Sequence, residues 1–218
     1  MPAWADQAPP PPLPSSVPLP FGSLSFGDFI SHYQTAAYGH SVVLNELAEK
    51  LTVNLDQRWR LEAIHFQGES PLAGGFQTRV NDYEFRLAFR LDDYHDTRPT
   101  DKLGQNLHAW ISWKRWNSNS VFITVPQEEE RDEGAGFGVT RDPEPTGLSY
   151  FYTAGLYPSV RTSVANQRNA FMVSAGPSFA LSPSFHFDLG YRYQAIRTDA
   201  HHARGQEQGI VFSLSSSF

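Results

Sequence analysis

Near its C-terminal end the chain alternates apolar and polar residues without a break. Phe185, Phe187, Leu189, Tyr191, Tyr193 and Ala195 share one side of an extended segment, and His186, Asp188, Gly190, Arg192 and Gln194 share the other. A period of two marks a β-strand, because successive side chains point to opposite faces. The last run, 208–218, repeats the pattern with Ile210, Phe212, Leu214 and the terminal Phe218 on one face and Gly209, Val211 and small serines opposite. In 83–91 the apolar side is Tyr83, Phe85, Leu87, Phe89 and Leu91, and the other side is Glu84, Arg86, Ala88 and Arg90. Five apolar steps match the ~9–11 residues with which a tilted strand crosses a bilayer.

The same periodicity predicts further strands at 23–34, 59–67, 148–157 and 170–181. Residues 106–116 and 120–125 are expected to form a hairpin turning at Asn117-Ser118-Asn119. Trp110, Trp113 and Trp116 then suit an interfacial aromatic belt, with a core-filling role as the competing reading. Between Ser41 and Leu55 the spacing of Leu44, Leu47, Ala48 and Leu51 fits a helix, while Leu51, Val53 and Leu55 alternate as a strand. A strand running into a turn at Asp56-Gln57 is preferred, with a helix over 41–50 as the alternative. Residues 126–147 read as a solvated loop, because the acidic run 127–133 is followed by a glycine run and two prolines. The count is ten strands, or eight if the ambiguous hairpin is absent.

Periodicity alone does not say which face meets the core, since a soluble lipocalin-like barrel shows it with the faces exchanged. The ending supplies the direction. A terminal Phe preceded by apolar residues at every second position resembles the last strand of bacterial outer-membrane β-barrels, a porin-like group in which that ending addresses the chain to the insertion machinery. The resemblance extends in style over 23–218 and is most specific at the two final strands. It implies an all-β, transmembrane, antiparallel up-and-down barrel of eight to ten strands, ten preferred, in the bacterial outer membrane. Ile210, Phe212, Leu214 and Phe218 would form the insertion signal. The terminus and the Ser182-Pro183-Ser184 turn would lie on the periplasmic side, and the longer loops outside. If the polar face points inward, Glu84, Arg86, Arg90, His186, Asp188 and Arg192 meet in a narrow lumen, where buried charges must pair, with internal water sharing the desolvation.

Composition sharpens this picture in a few places. A mean hydropathy of −0.42 would suggest a soluble protein, but alternation averages the apolar face away. Cysteine is absent, which excludes disulfides, thiol catalysis and thiolate metal sites. A net charge of −6 gives no basic footprint for nucleic acid. Of 17 basic residues only Lys50, Lys102 and Lys114 are lysine, an arginine bias that suits fixed ion pairs and equally suits a GC-rich genome. Ala3-Trp4-Ala5 reads as the remnant of a signal peptide in 1–5. Residues 6–22, with four successive prolines, read as a periplasmic tail ahead of the barrel at 23–218.

No catalytic constellation emerges. Ser31 and His32 point to opposite faces. His108 and Ser112 share a face but stand about 13 Å apart at ~3.3 Å per residue, beyond the reach of a general base. The acidic run matches no calcium-loop spacing, and His201-His202 with Asp199 falls short of a closed metal site. No metal and no cofactor are expected. The expected partners are outer-membrane lipids, the barrel-insertion machinery, and another envelope protein reached through the Pro-rich tail or the acidic stretch 127–133. A structural, anchoring or envelope-subunit role leads, followed by a narrow solute channel and then by an enzyme acting on lipid A or phospholipid.

Overall fold

The computed structural model describes residues 21–34, 41–71, 76–91, 106–122, 125–162, 168–197 and 204–218. Ten strands run in sequence: β1 Gly22–Gln34, β2 Ser41–Asn54, β3 Trp59–Glu69, β4 Phe76–Arg90, β5 Leu107–Phe122, β6 Val125–Arg141, β7 Leu148–Thr162, β8 Arg168–Ser182, β9 Phe185–Arg197 and β10 Arg204–Ser217. Each is antiparallel to its sequence neighbours, and β1 pairs with β10, so the sheet closes on itself as an up-and-down barrel. Closure leaves no open edge, a requirement for any sheet that spans hydrocarbon.

The seam is tied at its very end, where the Gly22 and Phe218 amides donate to each other's carbonyls at 3.0 Å. Phe21 and Phe218 pack beside it with ring centroids 6.5 Å apart. Short turns sit at this rim, between β2 and β3 and between β8 and β9. In the first, the Asp56 carboxylate accepts the Arg58 and Trp59 amides at 2.7 Å each. Those two amides hold the Asp56 carboxyl below its ordinary range.

The aromatic faces point outward. Phe85, Tyr191, Ile210 and Phe212 are exposed on the outer wall, while Glu84, Arg86 and Arg192 are buried inside. Residues 41–50 form the first part of β2 rather than a helix, with Leu44 and Glu46 inward and Val43 and Leu47 outward. The strand count is therefore ten.

Three expectations are corrected. The chain does not turn at Asn117-Ser118-Asn119, because β5 runs straight through to Phe122. Residues 126–141 are not a loop: they lie in β6, whose acidic run pairs with β5 through Ser118 to Glu130, Asn117 to Arg131 and Trp116 to Asp132. Nor do the three tryptophans share a belt. Trp110 and Trp116 are buried inside the barrel and only Trp113 faces out, as odd and even positions of one strand require.

The glycine run of β6 explains how the interior accommodates those rings. A Cβ on Gly136 would meet the Tyr157 ring, and one on Gly138 would meet the Trp110 indole and the Ala154 carbonyl. Inside the barrel, Trp110, Trp116, Tyr157, Met172, Val160, Ala88 and Ala170 form an apolar cluster. The lumen is thus part hydrophobic core, not a wholly polar space.

The Pro-rich and signal-like stretches, 1–20, lie outside the described residues, as does the His201-His202-Asp199 group.

Candidate functional site

The inward side chains of β1–β6 and β9–β10 build a column of charge along the barrel axis in three tiers. At the rim that carries the chain's C-terminal residue, Arg60 clasps Asp142 with both terminal nitrogens, one of them at 3.2 Å, and reaches Glu62 at 2.7 Å. Lys50 meets Glu62 at 3.1 Å, and His108 Nδ1 lies 3.5 Å from Asp142. Burial works to raise the Asp142 carboxyl, but Arg60, His108 and Lys50 outweigh it and hold the group well below the ordinary carboxylate range. Around this cluster is a vestibule of about 260 Å³, lined also by Arg90, His186 and Asp188.

The middle tier is nearly or fully buried. Arg86 grips Glu84 through Nε at 2.7 Å and a terminal nitrogen at 3.1 Å, and the Tyr157 hydroxyl donates to the same carboxylate at 2.6 Å. Above the Trp110 ring, at 4.3 Å from its centroid, sits the Arg86 guanidinium. Trp116 meets the Tyr157 ring edge-on at 5.1 Å. Beside them Lys114, with no exposed surface, donates to Gln194 at 2.7 Å. The Arg192 guanidinium covers Phe66 at 3.7 Å and lies 5.1 Å from the Phe29 centroid. Guanidinium over an aromatic face recovers part of the hydration lost on burial. In the third tier the buried Ser31 hydroxyl lies 2.8 Å from Glu46 and 3.2 Å from Glu207.

The six residues expected to line the lumen are distributed over this column and do not form a single ladder. Glu84 and Arg86 pair with each other on one strand. Arg90, His186 and Asp188 line the vestibule, where Asp188 accepts from Ser213 at 3.1 Å. Arg192 is held by rings and by Gln194, at 3.1 Å, rather than by a carboxylate.

Sequence reasoning missed Arg60, Glu62, Lys50, Lys114, Asp142, Glu46, Glu207 and Tyr157. The signal for three of them was available. Arg60 and Glu62 alternate with Trp59, Leu61 and Ala63, and Glu46 follows Leu44 at the same parity. Asp142 lies past a strand end, and Tyr157 follows an odd-numbered inward series on a strand rich in aromatics on both faces, so neither carries a periodic mark.

A second polar group stands on the outer wall. His65 of β3 lies 3.0 Å from Glu49 of β2 through Nδ1 and 2.7 Å from Asn81 of β4 through Nε2, and its ring stacks on Tyr83 at 4.6 Å. Both ring nitrogens thus lie within hydrogen-bond reach of a partner. Ser31 and His32 do lie on opposite faces, one buried and one exposed. His108 is engaged with Asp142 and the Asn106 carbonyl. Among the described residues no group of three or more His, Asp or Glu is arranged to hold a metal ion.

No family model matches the chain, and no curated protein matches it either. Solved structures do. The outer-membrane protease OmpT of Escherichia coli superimposes with a TM-score of 0.52 at 9% identity, over 93% of this chain and 99% of that one. Neisserial surface protein A superimposes with a TM-score of 0.50 at 9% identity, over 93% of this chain and 100% of that one. At such identity the likeness is one of fold: this chain has the architecture of small outer-membrane β-barrels.

Proposed function

We propose that the protein is an integral outer-membrane barrel that serves as a closed structural element, an anchor or subunit in the envelope, rather than as a pore. The observation that carries this reading is the middle tier. Glu84, Arg86, Lys114, Trp116, Tyr157 and Arg192 are all nearly or fully buried at mid-height, so the lumen is filled by side chains held to one another by ion pairs, hydrogen bonds and ring contacts. An open pathway would require several of these to separate at once, and each separation strands a buried charge. The outward Ile210, Phe212, Leu214 and Phe218 support membrane residence and an insertion signal on the last strand. The Pro-rich tail, 6–22, or the acidic stretch 127–133 is proposed as the contact through which another envelope protein is held.

Planar-bilayer recording with the full chain tests the closed-barrel reading. Detergent-folded protein is expected to insert without stable conductance steps. Reproducible single-channel steps would instead establish the narrow solute channel. The lipid-enzyme reading predicts a changed lipid A or phospholipid profile on expression. An unchanged profile would remove that reading.

A further inference from the structure

The lumen is filled unevenly at the rim that carries the C-terminal residue. Below Phe29 the inner faces of β1 and β10 carry only small residues, Ser23, Ser25 and Gly27 on one and Ser213, Ser215 and Ser217 on the other. The bulk comes from the opposite side, where Arg60, Arg90 and His108 project from β3, β4 and β5. What remains between them is the vestibule of about 260 Å³, which reaches the rim at Asp56, Gln57 and Arg58. At its inner end stand the buried Glu62 and Arg86, 3.7 Å apart. The vestibule is therefore a cup with one mouth.

The small wall of this cup has polarity that the protein itself does not use. By register His186 lies opposite Ser215, Ser215 opposite Ser25 and Ser25 opposite Lys50, with Ser217, Ser23 and Thr52 as the next row toward the rim. Facing side chains in such rows stand about 4.5–5.5 Å apart. Among the described residues the hydroxyls of Ser23, Ser25, Ser215 and Ser217 make no hydrogen bond. His186 Nδ1 and Asp188 Oδ1 are buried and have no partner either. Buried polar atoms are costly unless something bonds them. Charge decides what that something is. The cations that line the cup, Lys50, Arg58, Arg60 and Arg90, are balanced by Asp56, Glu62, Asp142 and Asp188. Arg60 is spent on Asp142 and Glu62, Lys50 on Glu62, and the Asp56 carboxylate on two amides of its own turn. An entering ion thus meets no large excess of opposite charge. The unspent groups are hydroxyls that both donate and accept, a ring nitrogen and a carboxylate oxygen, which match a neutral ligand rich in hydroxyls. Such a ligand replaces the hydrogen bonds of displaced water in kind. The volume lies below the ~300–1,000 Å³ of a drug-sized pocket, so it admits a single ring.

We propose that the vestibule is a binding site for one neutral sugar ring, held through its hydroxyls by Ser25, Ser215, His186 and Asp188. The site goes beyond the closed-barrel reading, which bilayer recording tests separately. Isothermal titration of the full chain, folded in a detergent without a sugar headgroup, tests it with glucose and N-acetylglucosamine, and with glucose 6-phosphate as the charged comparison. Saturable binding of at least one neutral sugar is expected, at least about tenfold tighter than that of glucose 6-phosphate. Ser25→Val combined with Ser215→Val places two β-branched side chains at facing strand positions, removes two hydroxyls and fills the cup; it should weaken binding at least about tenfold. Asp188→Ala should weaken it in the same direction, and Gln67→Ala on the outer wall should leave it unchanged. Heat-modifiable mobility of each variant establishes a folded barrel independently, so lost binding is distinguished from lost folding. Chitobiose separates the two sources of such a ring: its capture assigns the end of a glycan, and its rejection alongside captured N-acetylglucosamine assigns a free sugar. No saturable binding of either neutral sugar, tighter binding of glucose 6-phosphate, or undiminished binding by the double variant overturns the proposal.

Discussion

Strands β6 and β9 occupy equivalent places in one barrel, each bonded to two neighbours, yet they solve the problem of crossing it in opposite ways. β9 presents Phe185, Phe187, Leu189, Tyr191 and Tyr193 outward and keeps a mixture of polar side chains inside. β6 presents only Ala135, Phe137 and Val139 before Glu133 and Arg131 take over the outer face. Its inner face, among the described residues, is Asp132, Gly134, Gly136, Gly138 and Thr140, of which the glycines contribute nothing but room. The contrast shows that a barrel strand is defined by what its two neighbours leave for it. Where Trp110 of β5 and Tyr157 of β7 fill the lumen from either side, the strand between them must be nearly bare. Where the lumen is filled from elsewhere, the strand is free to carry its own Arg192 and Gln194.

This contrast can be broken at four positions in three experiments, taken from the largest effect down. Leu189→Arg on β9 places a charge near the middle of the apolar band and should cost about 2–4 kcal/mol. Glu133→Arg, on the upper outer face of β6, should cost under about 1 kcal/mol. Urea titration of the heat-modifiable form would measure both, and equal costs would mean that the two outer faces meet the same surroundings. Gly138→Val fills the space that the Trp110 indole occupies and should cost about 1–3 kcal/mol through overpacking, with a loss of near-ultraviolet dichroism from displaced aromatic rings. The third effect is electrostatic and lies where β6 ends. Asp142 has a carboxyl depressed by Arg60, so its contribution is present above the ordinary carboxylate range and is lost progressively as pH falls below that range toward the depressed folded value. Partial exposure limits it to about 1 kcal/mol. Wild-type urea midpoints should therefore drop on acidification, while Asp142→Asn should start lower and change less.

The contrast between the two strands also accounts for what the sequence made readable. β4, β9 and β10 were legible because each carries an unbroken apolar stretch on its outer face, Tyr83 to Phe89, Phe185 to Tyr193 and Ile210 to Leu214, which is the one thing alternation reports well. β6 was not, since glycine, glutamate and proline are each loop signals taken alone, and their placement inside a strand follows from Trp110 and Tyr157, residues on other strands. The tryptophans were misplaced for a related reason. Spacing of three puts Trp110 and Trp113 on opposite faces of a strand, so grouping them by proximity in sequence overrode the period that had been used everywhere else. Of the polar column, the paired Glu84 and Arg86 could be found on one strand. The triad of Arg60, Glu62 and Asp142 required knowing which strand ends meet at the rim, information held by the closed register and by no single segment.

The seam between Gly22 and Phe218 sets an order of events in time. Every other strand can find a partner that lies next to it in the chain, through hairpins that close quickly. The β1–β10 pairing joins Ser23 to Ser217 and must wait until the final residues are present and the eight intervening strands are arranged, so it closes the longest loop of any strand pairing. Until then β1 and β10 both present unpaired backbone groups, each a template for a wrong partner. The last dozen residues are therefore the clasp of the molecule, and the rate at which it shuts should govern how long the unfinished barrel remains open to error.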